Sequence, residues 1–177
     1  MLFPYNKPTD GLFTFFEDVV KGDMVTQQQR SDTTRQKLLA AFKSAFLVRG
    51  YTQTTTQQIL VETGLSKGAL YHHFRSKAEI IEALYDHESR AAIDRVFNRL
   101  DAEAAPLARL KHAYLEWTRE VRTPEIAKIL FEIGPAAMGE RRAKEIEEAA
   151  SNRPVKRLLA DAIAAGEIAP PDQDLLI

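Results

Sequence analysis

The stretch TTTQQILVETGLSKGALYHHFRSK, Thr54 to Lys77, constrains the fold more than any other part of this 177-residue chain. It holds two short helical patterns separated by a glycine turn, the first from about Thr55 to Thr63 and the second from about Ser66 to Phe74. Thr55 followed three residues later by Gln58 fits a capping box, and Ser66 is suited to cap the second helix. Gly64-Leu65 turns the chain. Ile59, Leu60, Leu65, Leu70 and Phe74 supply the apolar residues that such a pair needs between its helices. That pattern is a helix-turn-helix. Charge points the same way. From Met24 to Ser76, seven cations (Arg30, Arg35, Lys37, Lys43, Arg49, Lys67, Arg75) stand against Asp32 and Glu62, a net of +5. The whole chain carries 24 Lys/Arg and 25 Asp/Glu, so everything outside this stretch sums to −6. Positive charge gathered on the candidate reader is what phosphate binding requires.

At this length the chain holds one sizeable core, or a small module joined to a larger one. Its hydrophobic content of 45% and charged content of 28% are ordinary for a soluble globular protein. There is no cysteine, which excludes disulfide scaffolds and thiolate metal sites and fits a reducing compartment. No apolar run approaches the roughly 18 residues of a membrane span. The N-terminus lacks a basic region followed by an apolar core, so no secretory signal is evident and the cytoplasm is the expected location. No nucleophile triad, phosphate loop or metal-ligand spacing emerges, so neither an enzyme nor a cofactor is expected.

Along the chain, residues 1–30 form an extension rich in aromatic residues, broken at Pro4, Pro8 and Gly11. Asp10 to Val20 fits either a short amphipathic helix or a loose segment. A polar arm, VTQQQRSDTT, follows Met24. Two readings stand: Met24 is the true start, or the extension is a genuine arm that packs on the body. Thr33 to Val48 is predicted as a helix, opened by a Thr33/Gln36 capping box, striped by Leu38, Ala41, Phe42 and Ala45, and ended by Gly50. Ser76 and Glu79 suggest another capping box, opening a helix to about Leu100 that leaves the head at 31–77. The second region, 78–177, reads as further helices: Leu107 to Val121, then one opened by Thr123-Pro124 and stopped at Gly134-Pro135, then 136–165. Within the last, Pro154 either kinks the helix or starts a fresh one. Asp172 and Leu175 to Ile177 look like the first turn of one more helix. No strand alternation of useful length appears, and all-α is the predicted class, a three-helix head followed by a helical domain.

Over roughly residues 33–84 the head resembles the N-terminal DNA-binding domain of the TetR family of bacterial repressors. The residues that carry the likeness are Phe42, Phe46, Gly50-Tyr51, Thr55-Thr56, Ile59, Gly64-Leu65-Ser66-Lys67-Gly68, Leu70-Tyr71, His73-Phe74 and Ser76-Lys77. Beyond residue 84 the likeness is only that of a helical chain. The resemblance implies a homodimer on a palindromic double-stranded DNA operator, released when a small-molecule effector changes the spacing of the two heads. It also implies two long C-terminal helices, which would begin near Leu175. The expectation is therefore a shortened effector domain, and the alternative function is a defective or interfering fragment with impaired dimerisation.

Lys67, at the start of the second short helix, suits a guanine edge or a phosphate. Gly68 removes bulk where a helix would meet the groove, and Ala69 suits a thymine methyl. Tyr71 and His73 match family positions that hold operator phosphates, and His72 lies beside them. The adjacent pair His72-His73 is not a metal signal, because neighbouring helical positions diverge by about 100°. Lys77, Thr56, Gln57 and Arg30 complete the candidate DNA set, with Arg35 and Arg49 as outer backbone contacts. In the second region Tyr85, Phe97, His112, Tyr114, Trp117 and Phe131 are candidates to line an effector pocket, weighed against plain core packing.

Overall fold

In the computed structural model, residues 10–169 are described, with side chains from Gln27 onward. The helices run α1 Asp10–Gln53, α2 Thr56–Thr63, α3 Lys67–His73, α4 Lys77–Asn98, α5 Pro106–Glu120, α6 Pro124–Ala127, α7 Gly134–Met138 and α8 Glu140–Ala164, with a π-helical turn at Lys128–Ile133 joining α6 to α7. No strand occurs among the described residues. None of these helices is long and apolar enough to cross a membrane. The readings for residues 1–9 and for the helix opening at Asp172 and Leu175 lie outside the described residues.

Helix α1 corrects the reading of a polar arm followed by a capped start at Thr33. The backbone is already helical from Asp10, and Thr33 Oγ1 donates to Gln29 O at 2.8 Å, one turn back. A threonine with a glutamine three residues on also occurs inside helices, where the hydroxyl has a carbonyl within reach. The predicted end is right. Gly50 has φ 79° and ψ 166°, which breaks the helix before the last turn.

The head closes around one cluster in which Leu38, Phe42, Phe46, Ile59, Leu70, Phe74, Ile80 and Ile81 are buried. Each short helix is held by its own cap. Thr55 Oγ1 accepts from Gln58 N and Gln58 Oε1 accepts from Thr55 N, so the capping box is complete. Gly64 ends α2 at φ 67°. Ser66 Oγ accepts from Ala69 N at 3.1 Å to start α3. The start of α4 differs from the predicted box. Ser76 Oγ accepts from Glu79 N, but Glu79 reaches past Ser76 and accepts from Arg75 N at 2.7 Å.

Helix α4 carries the chain into the second region, where it packs on α5 and α8. The predicted stop at Gly134-Pro135 is not there: the helix continues to Met138 and ends at Gly139, φ 84°. The π turn makes this possible. Gly134 N donates to Ile129 O, five residues back, and the widened turn carries the chain past a proline that has no N–H to give. Gly134 is itself fixed by packing, since a Cβ there would lie 2.2 Å from Tyr85 Cδ2. Pro154 does not start a new helix; it lies inside α8, which runs through it from Glu140 to Ala164.

Candidate nucleic-acid interface and effector cavity

Helix α3 has one anchored face and one open face. Leu70 is 1% exposed and sits in the head core, while Lys67, Gly68, Tyr71 and His72 are exposed. These four lie within about 140° of the helix circumference. Lys67 Nζ stands 5.8 Å from the Tyr71 ring centroid, so a cation and a phenol hydroxyl share one end of the face. Gly68 leaves a gap that the fold itself does not need. A Cβ there would meet only Ser66 Oγ, at 3.8 Å, an ordinary contact. Ala69 and His73 are half-buried and lie outside this arc, His73 nearly opposite its middle. Burial first, then the charges of His72 and Arg35, lower the His73 pKa below its ordinary 6.5. At neutral pH His73 therefore offers a neutral N–H donor. Thr56 is half-buried and Gln57 exposed at the start of α2.

Three predicted DNA contacts are placed differently. Lys77 turns inward: its Nζ donates to Tyr51 O at 2.7 Å and Thr54 O at 2.9 Å, and lies 4.2 Å from the Tyr51 ring centroid. Neither carbonyl has a helical donor four residues on, because the N–H groups of Thr55 and Gln58 are taken up by the capping box of α2. Burial lowers the Lys77 pKa. Arg49 is paired with Glu62 through two hydrogen bonds of 2.8 and 3.3 Å. Arg30 is not on a loose arm but on the exposed surface of α1, where it shares a shallow groove with Gln29, Thr33, Thr34 and Lys37. Lys43 is also engaged, 2.9 Å from Glu88. Of the seven head cations, Arg30, Arg35, Lys37, Lys67 and Arg75 make no ion pair among the described residues. Positive charge thus stays available on α1 and around α3.

The second region holds a cavity of about 420 Å³ between α4, α5 and α8. Of the six predicted pocket residues it gathers Phe97, Tyr114 and Trp117. Tyr85 is instead a core residue, 0% exposed, with its hydroxyl 2.6 Å from Glu147 Oε1 and 3.1 Å from Leu130 O. Burial, reinforced by that carboxylate, pushes its pKa far up, so the phenol stays protonated and donates. Phe131 is 58% exposed and lies away from the cavity. His112 also lies outside it, 3.5 Å from Glu116 Oε1. Sequence reasoning missed Ser89, Leu110 and Val155 in the cavity wall. A serine or an aliphatic residue in a helix carries no local signal for a cavity; only the packing of three helices shows it.

Outside the cavity lining, buried Glu116 and Glu120 tie α5 to the end of α4. Arg95 Nε donates to Glu120 Oε1 at 2.6 Å, and Arg99 Nη1 reaches Glu120 Oε2 at 3.0 Å and Glu116 Oε2 at 3.4 Å. Burial alone would raise both carboxyl pKa values. Arg119, which donates to Glu116, and Arg95 and Arg99, which donate to Glu120, outweigh it and hold both below the ordinary 4.5.

The chain and its fold have parallels among known proteins. A family model described as "Bacterial regulatory proteins, tetR family" matches residues 38–84, and one described as "Tetracyclin repressor-like, C-terminal domain" matches residues 105–176. The second match extends the likeness well beyond the head, where the sequence reading had ended it. The HTH-type transcriptional regulator TtgR of Pseudomonas putida is 33% identical over 109 residues, which cover 58% of this chain and 51% of that protein. The HTH-type transcriptional repressor KstR2 of Mycobacterium tuberculosis is 34% identical over 88 residues, 48% of this chain and 42% of that one. The chain thus spans about half the length of the curated relatives it matches. A solved TetR-family regulator of Vibrio parahaemolyticus has the same fold, with a TM-score of 0.61 at 19% identity over 81% of this chain and 77% of that one. With one family's two models matching the head and the C-terminal region, and together more than half of the sequence, the chain belongs to the TetR family of bacterial regulatory proteins.

Proposed function

We propose that this chain is a DNA-binding transcriptional repressor. Two copies bind a palindromic operator through α3, and a small-molecule effector in the second region releases them. The observation that carries the reading is the outward face of α3, where Lys67, Tyr71 and His72 flank a bare Gly68 while Leu70 locks the opposite face into the core. A cation, a phenol hydroxyl and imidazole donors suit phosphate oxygens and base edges in a major groove. Residues 31–77 then act as the reader and residues 78–177 as the effector-binding region.

Release follows from geometry. Two recognition helices must stand about one duplex turn, roughly 34–36 Å, apart to enter successive major grooves. An effector that favours another spacing shifts the population away from the DNA-competent form. The contacts between cavity and head are contiguous. Glu147 in the cavity wall accepts from Tyr85, whose ring packs against Gly134 in the π-turn segment. Ile133 of that segment belongs to the head core, and Lys128 Nζ donates to Leu47 O at 2.7 Å.

Selection of bound duplexes from a randomised DNA pool tests the reading. The expected result is enrichment of an inverted repeat with half-sites about one turn apart. A pool that stays random after successive rounds would contradict it.

A further inference from the structure

Ser89 stands near the middle of α4, 2% exposed, and its Oγ has no hydrogen-bond partner among the described residues. Buried polar groups in folded proteins nearly always have partners, so an orphan needs a reason. The usual resort of a helical hydroxyl is the carbonyl one turn back. Thr33, Thr34, Thr63 and Ser151 all take it here, with distances of 2.7 to 2.9 Å. Ser89 does not, and it lines the 420 Å³ cavity. Most of the surrounding wall is apolar, with Ile93, Val96, Phe97, Leu110, Ala113 and Trp117 next to Ser89 in the lining.

We propose that this cavity binds a compact, uncharged, mostly apolar molecule bearing one hydroxyl or carbonyl oxygen, and that Ser89 hydrogen-bonds that oxygen. The inference rests on the effector-pocket reading above and narrows it to a ligand class. The volume lies toward the small end of the roughly 300–1,000 Å³ typical of ligand sites. A charged ligand would lose its hydration against a wall that is largely apolar. The cavity's charged lining residues are already engaged, since Lys144 lies 3.7 Å from Glu148 and Glu147 accepts from the Tyr85 hydroxyl, so none awaits a counter-charge on the ligand. Ser89 thereby sets specificity, because a site built around one hydrogen bond rejects an isostere that cannot make it.

A matched pair of probes tests this. 4-tert-Butylphenol and 4-tert-butyltoluene have nearly the same shape and differ by a hydroxyl in place of a methyl. Trp117 is the only tryptophan of the chain and lines the cavity, so its fluorescence reports occupancy, with calorimetry as a second readout. The full chain is expected to bind the phenol more tightly, on the order of tenfold. Ser89→Ala is expected to bind both probes alike, with a melting temperature no lower than that of the parent chain. Equal binding of the two probes by the parent chain would overturn the proposal. So would a preference that survives Ser89→Ala, or failure of both probes to bind. Operator binding is measured separately. A Ser89-dependent preference without any change in DNA affinity would leave this inference standing and remove the effector reading.

Discussion

The head and the second region are both helical, but they are held together differently. In the head a single apolar cluster takes in the inner faces of α1 to α4, and capping side chains satisfy the ends of α2 and α3 locally. In the second region the apolar side chains divide into two smaller clusters, around Tyr85 and around Val96. A cavity lies beside them, and buried carboxylates bridge the helices through arginines. A continuous core presents α3 rigidly, as a reader needs. Unfilled space bordered by polar bridges is what the proposed effector-binding region needs. The junction between them is tight: Ile133 belongs to the head core although its helix belongs to the second region.

The largest effect should come from that junction. Gly134→Ala drives a methyl to within 2.2 Å of the buried Tyr85 ring, and overpacking of this kind costs about 3 kcal/mol. Urea denaturation checks it; an unchanged midpoint would show that the junction is looser than described. Lys77→Ala comes next. Losing the ammonium that holds Tyr51 O and Thr54 O should destabilise the head by about 1–2 kcal/mol. If Lys77 were instead an operator contact, thermal melts would be unmoved and DNA affinity would fall. Acid should then weaken the second region through Glu116 and Glu120. Their folded pKa values are depressed, so their contribution is complete above the ordinary 4.5 and is lost as pH falls through the lowered values. Melting temperatures should be flatter with pH in Glu120→Gln than in the parent chain, and an identical acid limb in both would remove the bridge. The smallest shift is at the reader itself. Gly68→Ala fits without a clash and should stabilise α3 by about 0.5–1 kcal/mol while weakening DNA binding. Gain of stability with undiminished affinity would mean that Gly68 is not a point of close approach.

What was legible in the sequence was local. The Thr55/Gln58 box, the Ser66 cap and the turns at Gly50 and Gly64 each depend on residues within four positions, and all are present. Local patterns also misled. Thr33 with Gln36 has the spacing of a cap but lies inside a helix, and Gly134-Pro135 has the look of a stop but sits in a π turn. The inward turn of Lys77 joins residues 23 and 26 positions apart, beyond any periodicity argument. Aromatic spacing did not separate Tyr85 in the core from Phe97 and Trp117 at the cavity, because that depends on how α4, α5 and α8 pack. The cavity's hydrogen-bonding residue, Ser89, has no sequence signature at all.

If the open face of α3 reads DNA, side chains on it must carry affinity. Fluorescence anisotropy on the duplex enriched by selection tests it most directly, comparing the parent chain with Lys67→Ala and Tyr71→Phe. Both side chains are exposed, so neither change should alter the melting temperature appreciably. Each is predicted to weaken binding by roughly fivefold or more, in line with the loss of one phosphate or base contact. Affinities for both variants equal to that of the parent chain would contradict the account.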